Sequence, residues 1–208
     1  MAYNQFTLQR CQADFGLTLN SVPDLFPGVP PVPLPARLRE QLPAAAEWAL
    51  AVSTEAARSQ LLIAPLLFEV WRAGGHRVAL YAGTRFDVDE AAGLTGVCDF
   101  ILSRPPQLPF VTAPVMMIVE AKNEDIWGGA GQCAAAMVAA RRFNAARVPP
   151  AGDPVYGAVT DGERWRFLRL QESVLDIDLM PRLWPNTDQI FGILLHIVGI
   201  VPAAPAAA

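Results

Sequence analysis

Lys122 is the single lysine of the chain, set against fifteen arginines, and it stands two residues after Glu120 at the end of the apolar run Val115-Met116-Met117-Ile118-Val119. Side chains two apart on a β-strand share a face, so Glu120 and Lys122 are expected to point together while Ala121 points away. That pairs an ammonium with a carboxylate at the rim of a buried strand. Arginine is no substitute there, because the ammonium is a compact point charge whose pKa burial shifts, whereas the guanidinium stays planar and protonated.

A second acid joins them if Gly96 to Ser103 pairs antiparallel with Val115 to Lys122. The register that joins Arg104 to Val115 also sets Asp99 opposite Glu120. Directly opposed residues have Cβ atoms about 4.5 to 5.5 Å apart. Two carboxylates that close repel unless one is protonated or a cation lies between them. With the backbone carbonyl of Ala121 and several waters they make a hard-oxygen set suited to Mg²⁺ or Mn²⁺, with room left for a phosphate. Lys122 then stands beside the metal and orients the attacking water. Phosphodiester hydrolysis needs an activated nucleophile and stabilisation of extra negative charge, and a metal with an ammonium supplies both.

The elements that must hold these residues follow from periodicity and breakers. Phe6, Leu8, Phe15, Leu17 and Leu19 partly alternate, which predicts a short hairpin or an irregular arm over residues 1–20. Pro23, Pro27, Pro30, Pro31, Pro33 and Pro35 then predict an extended linker. Ala36 to Leu50 reads as a helix, and Ser53-Thr54-Glu55 opens another that ends at Gly74-Gly75, with Pro65 as a kink. Strands are predicted at Val78 to Ala82, Phe86 to Val88, Gly96 to Ser103 and Val115 to Lys122, the last two separated by the Pro-rich Arg104 to Pro114. Asp125 caps a helix to about Arg147, and Val155 to Thr160, the turn Asp161-Gly162 and Arg164 to Leu170 read as a hairpin.

With 52% hydrophobic and 17% charged residues in 208, the chain has the composition of one globular domain. That domain is expected over residues 36–203, after an arm and linker at 1–35 and before a low-complexity tail at 204–208. A formal charge of −4 excludes a generally basic nucleic-acid binder and leaves local patches such as Arg141, Arg142 and Arg147, or Arg164, Arg166 and Arg169. Cys11, Cys98 and Cys133 are odd in number and widely spaced, as expected of reduced thiols in a cytoplasmic protein. The N-terminus lacks a basic segment followed by an apolar stretch, and the apolar run Ile190 to Val201 is too short to span a bilayer. No membrane role is therefore expected. The run suits a buried core helix, or a homodimer interface.

GVCDF at Gly96 to Phe100 followed by IVEAK at Ile118 to Lys122 resembles the core of the PD-(D/E)XK nuclease superfamily. Asp99 matches the first acid, Glu120 the second and Lys122 the lysine, while Cys98 stands where the motif has its proline. The resemblance covers residues 50–170 and is closest to uncharacterised bacterial members. It implies a mixed α/β, restriction-endonuclease-like core, with a central mixed sheet flanked by helices and preceded here by the N-terminal arm. It further implies that Glu55, on the helix before the sheet, joins Asp99, Glu120 and the Ala121 carbonyl at the metal, although Glu55 equally suits the dipole of its helix. Gln132 matches the glutamine that one branch carries on the helix after the lysine, but the tyrosine usual one turn later is absent, with Ala136 and Met137 in its place. The function implied is metal-dependent hydrolysis of nucleic acid, DNA foremost. The reading from another class is a catalytically inactive nuclease-like fold that serves as a nucleic-acid-binding or assembly module, in keeping with the acidic total charge.

Other features have simpler explanations. Gly128, Gly129 and Gly131 are expected to allow close packing of helix on sheet, and Asp87 with Asp89 to form a solvated turn. His76 and His196 have no second histidine at ligand spacing.

Overall fold

The computed structural model describes residues 2–123, 125–148 and 152–201, so the tail expected at 204–208 lies outside the described residues. The fold is mixed α/β, a central sheet flanked by helices on both faces. A 3-10 turn (Tyr3–Gln5), α1 (Leu8–Phe15) and β1 (Thr18–Val22) come first. There follow α2 (Ala36–Val52), α3 (Glu55–Arg58), a π-helical segment (Ser59–Ile63) and α4 (Ala64–Gly74). Next are β2 (Ala79–Arg85), β3 (Val97–Ser103), β4 (Val115–Ala121), α5 (Ile126–Ala145), β5 (Val155–Thr160), β6 (Arg164–Gln171), β7 (Val174–Asp178), β8 (Arg182–Leu183) and α6 (Thr187–Ile197). Along the sheet the order is β1-β7-β6-β5-β4-β3-β2, with β8 beside β6. β2, β3 and β4 are antiparallel, β4 and β5 are parallel across α5, and β5, β6 and β7 are antiparallel again.

The register predicted for the two central strands holds where it matters. Phe100 faces Val119, Ile101 faces Ile118 and Leu102 faces Met117, the alignment that carries Asp99 toward Glu120. It shifts at Ser103, which faces Val115, so the expected Arg104–Val115 pair is replaced by an Arg104 N–H that donates to the Pro114 carbonyl at 3.0 Å. Asp125 caps α5 as expected, its side chain accepting from the Gly128 N–H. The alanine-rich α5 combines high helix propensity with a slim profile, which lets it press onto β4 and β5. Its glycines are packing residues: a Cβ at Gly131 would stand 2.3 Å from the Phe6 carbonyl oxygen, so the N-terminal segment crosses α5 there.

Four local expectations are corrected. Residues 3–22 form a 3-10 turn, a helix and a strand in place of a hairpin or irregular arm, and β1 pairs in parallel with β7 at the edge of the sheet. Phe86 to Val88 is no strand; a lone bridge joins Asp89 to Leu94 nearby. Pro65 lies not inside one continuous α-helix but in the first turn of α4, directly after a π turn in which the Ala64 N–H reaches the Ser59 carbonyl, where the donor that proline lacks is not needed. The C-terminal helix starts at Thr187 and ends at Ile197, short of the expected Val201. Its apolar residues Ile190, Ile193 and Leu194 are fully buried within this chain against α4, α2 and the sheet. No helix among the described residues is long and apolar enough to cross a membrane.

The proline-rich stretch is extended, as predicted, and lies across α6. The Val32 N–H donates to the Asp188 carbonyl, Gln189 Nε2 donates to the Val29 carbonyl at 2.9 Å, and a Cβ at Gly192 would meet the Pro30 carbonyl. Phe26 and Leu34 anchor it in the core.

Candidate functional site

Every residue of β4 is buried, and Glu120, near its end, is 0% exposed. A carboxylate so placed needs partners, and it has too few. Oε2 accepts a 2.7 Å hydrogen bond from Gln132 Nε2, in the second turn of α5, and lies 3.8 Å from Lys122 Nζ. Oε1 is buried with no hydrogen-bond partner among the described residues. Burial raises the Glu120 pKa well above its ordinary value, the Asp99 charge raises it further, and Lys122 opposes both. Glu120 and Asp99 can share a hydrogen bond only when a proton lies between them, and that bond too favours the protonated acid.

Asp99 is held by the chain it faces: its Oδ2 accepts from the Ala121 N–H at 2.8 Å. Lys122 Nζ donates to the Ala121 carbonyl at 2.9 Å, and its backbone N–H donates to the Thr160 carbonyl at 2.8 Å, which ties the end of β4 to β5. Gly129 makes room for this arrangement, since a Cβ there would stand 2.9 Å from Lys122 Cγ and 2.7 Å from Val159 Cγ1. The aliphatic stem of the lysine therefore lies against the α5 backbone, with the ammonium directed at the carbonyl and the carboxylate.

Asp99, Glu120, Lys122 and Gln132 thus converge. Glu55 does not join them to the same degree. It occupies the exposed first position of α3, behind the Thr54 cap, and its charge is the smallest of the influences that raise Glu120. Among the described residues no group of three or more His, Cys, Asp and Glu side chains is close enough to hold a metal ion. A cation here would rest on Asp99, the free Oε1 of Glu120, the Ala121 carbonyl and water. An orphaned carboxylate oxygen beside a second carboxylate is a donor set that fits a hard divalent ion. No family model matches this chain, and no curated protein does either.

The expected basic patches are mostly spent on local partners. Arg142 pairs with Asp89, Arg147 lies 3.7 Å from the Phe143 ring centroid, and Arg169 pairs with Asp176 at 2.7 Å. Arg164 pairs with Asp161. Arg166 turns instead onto Trp127, with its guanidinium carbon 4.1 Å from the ring centroid. Trp127 escaped the sequence reading. The available signal was an aromatic residue in the first turn of a helix that starts four residues after the acid-Ala-Lys triplet. Asn123 escaped it as well; immediately after Lys122, its Oδ1 is buried without a partner among the described residues.

Proposed function

We propose that the chain is a metal-dependent nuclease of restriction-endonuclease-like fold that hydrolyses phosphodiester bonds in nucleic acid, DNA foremost, with Mg²⁺ or Mn²⁺. The observation that carries this reading is a fully buried Glu120 whose Oε1 meets no donor among the described residues, set beside Asp99 and within 3.8 Å of the chain's one lysine. A carboxylate retained in that state contributes little to stability, and perturbed acids of this kind concentrate at functional sites. When bound, the divalent ion would supply positive charge to the phosphoryl oxygens and to the nucleophile.

The residues divide the work. Asp99 and Glu120, with the Ala121 carbonyl, offer oxygen ligands of fixed geometry, since Asp99 is pinned by the Ala121 N–H and Glu120 by Gln132. Lys122 orients a water and balances the charge that develops on the phosphate. Gln132 is a positioning residue that holds Oε2 and leaves Oε1 free. Glu55, exposed nearby, acts through its charge or through an intervening water.

One observation favours the second reading, an inactive fold used for binding or assembly. The ammonium of Lys122 already donates to the Ala121 carbonyl, one of the oxygens that a metal would use. Cleavage of labelled single-stranded and double-stranded DNA with Mg²⁺ or Mn²⁺, in wild type, Glu120→Ala and Lys122→Ala, separates the two. Metal-dependent cleavage lost in both variants supports the nuclease. No cleavage in any sample, with no heat of metal binding in calorimetry, supports the module.

A further inference from the structure

Arg166 lies on the same face of the sheet as Glu120, two strands away. Glu120 registers with Val159 on β5, and Val159 registers with Arg166 on β6. Registered residues project to one face and strands lie about 4.8 Å apart, so the two side chains rise from points about 10 Å apart. Arg166 Nη1 donates to the Asp178 carbonyl at 2.8 Å, which holds the guanidinium over the Trp127 ring. Trp127 is 51% exposed and sits in the first turn of α5, the helix that also brings Gln132 to Glu120.

Trp48, on α2, is 56% exposed, but no cation among the described residues lies on its ring and it is on a helix of the opposite face. The indole of Trp127 differs in having a hydrogen-bonded guanidinium over its ring while half its surface stays open. A rigid aromatic face next to a fixed cation matches an unpaired nucleobase and its phosphate, because every base has a π-face and stacking on it tolerates any sequence. A duplex keeps those faces inside its own stack.

We propose that Trp127 and Arg166 form a base-stacking platform that selects single-stranded nucleic acid for the site at Glu120. The platform rests on the nuclease reading for its role in catalysis, but not for its binding. One base lies on the open face of the indole, Arg166 meets an adjoining phosphate, and the strand runs along the sheet face toward Asp99 and Glu120.

The test is fluorescence anisotropy in EDTA with a short labelled single strand and with a hairpin duplex of the same sequence, so that no cleavage occurs. Wild type is expected to bind the single strand more tightly. Trp127→Ala is expected to weaken that binding about 5- to 160-fold, the usual effect of removing one stacked base. Trp127→Phe should recover most of the loss, which a fold defect would not allow, and Trp48→Ala should bind as wild type does. Equal single-strand affinity in wild type and Trp127→Ala, or a preference for duplex in wild type, overturns the platform. In a parallel cleavage assay, the expected effect of Trp127→Ala is a rise in KM for single strands, and an unmoved KM in an active enzyme overturns the platform while leaving the nuclease standing. Stacking-dependent binding by a protein that cleaves nothing supports the platform and rejects the nuclease.

Discussion

Glu120→Gln is expected to stabilise the protein in EDTA, and by more as pH rises. The folded-state pKa of Glu120 is raised well above 4.5, by burial first and by Asp99 second. A raised carboxyl pKa means that the native state binds a proton that the unfolded state releases. Stability contributed by this group is therefore constant below about pH 4.5, falls as pH climbs above it, and levels off once pH passes the native value. One proton sets the steepest possible slope, about 1.4 kcal/mol per pH unit. The orphaned Oε1 puts the accumulated loss near neutral pH at about 1–3 kcal/mol, the cost of leaving a buried polar group unsatisfied. In the variant the amide can donate toward Asp99, its oxygen can still accept from Gln132, and nothing titrates. Urea unfolding midpoints measured between acid and mildly alkaline pH give the slope for each protein, and their difference isolates this residue from every other titrating group. Adding Mg²⁺ should stabilise wild type, by about 2.7 kcal/mol at a hundredfold excess over Kd, and leave the variant where it was. Parallel pH profiles for the two proteins in EDTA would refute the reasoning, because they would mean that Glu120 is ionised in the fold without cost.

Lys122→Met should lower the single-turnover cleavage rate by about 10²–10³-fold, on the scale of losing one transition-state charge donor, and quenched-flow or gel assays under metal saturation measure it. Gly129→Ala should destabilise by about 1–3 kcal/mol and also reduce activity, because the added methyl meets Lys122 Cγ and Val159 Cγ1 inside 3 Å; urea melts and cleavage rates follow both effects. Gly131→Ala should instead free the segment around Phe6, which hydrogen exchange would show as faster exchange in residues 3–15. All three cysteines are buried, with Cys11 pushed up to about 12 and Cys98 and Cys133 also raised by burial, so none should react with iodoacetamide until the protein is unfolded.

The local signals in the sequence were of one kind. The antiparallel register of β3 with β4 and the cap at Asp125 are settled by neighbours in sequence and by alternation between two faces, and both are present. The convergence of Gln132 on Glu120 was legible through resemblance, and the helix geometry of α5 explains it. What stayed hidden depends on residues far apart. β1 reads Thr-Leu-Asn-Ser-Val, too polar to signal a strand, and owes its structure to pairing with β7 more than 150 residues on. The π turn is likewise invisible to a count at helical period, because Ser59 to Ile63 keep an apolar pattern while the hydrogen bonding slips by one. Trp127 went unnoticed because an exposed aromatic has no pattern until Arg166, on a different strand, is seen to lie on it.

β1 also sets a timetable. Asn20 and its partner Asp176 are 156 residues apart, so on a ribosome working at about 5–20 residues per second the strand waits roughly 8–30 seconds for β7 to emerge. A waiting strand is a hazard when it is apolar, since unpaired backbone donors and acceptors recruit other chains. Thr18, Asn20 and Ser21 make it a poor template for that, with a solvated side chain at most positions. The weak strand propensity that conceals β1 in the sequence thus suits a segment that must stay harmless during synthesis and yet close the edge of the finished sheet.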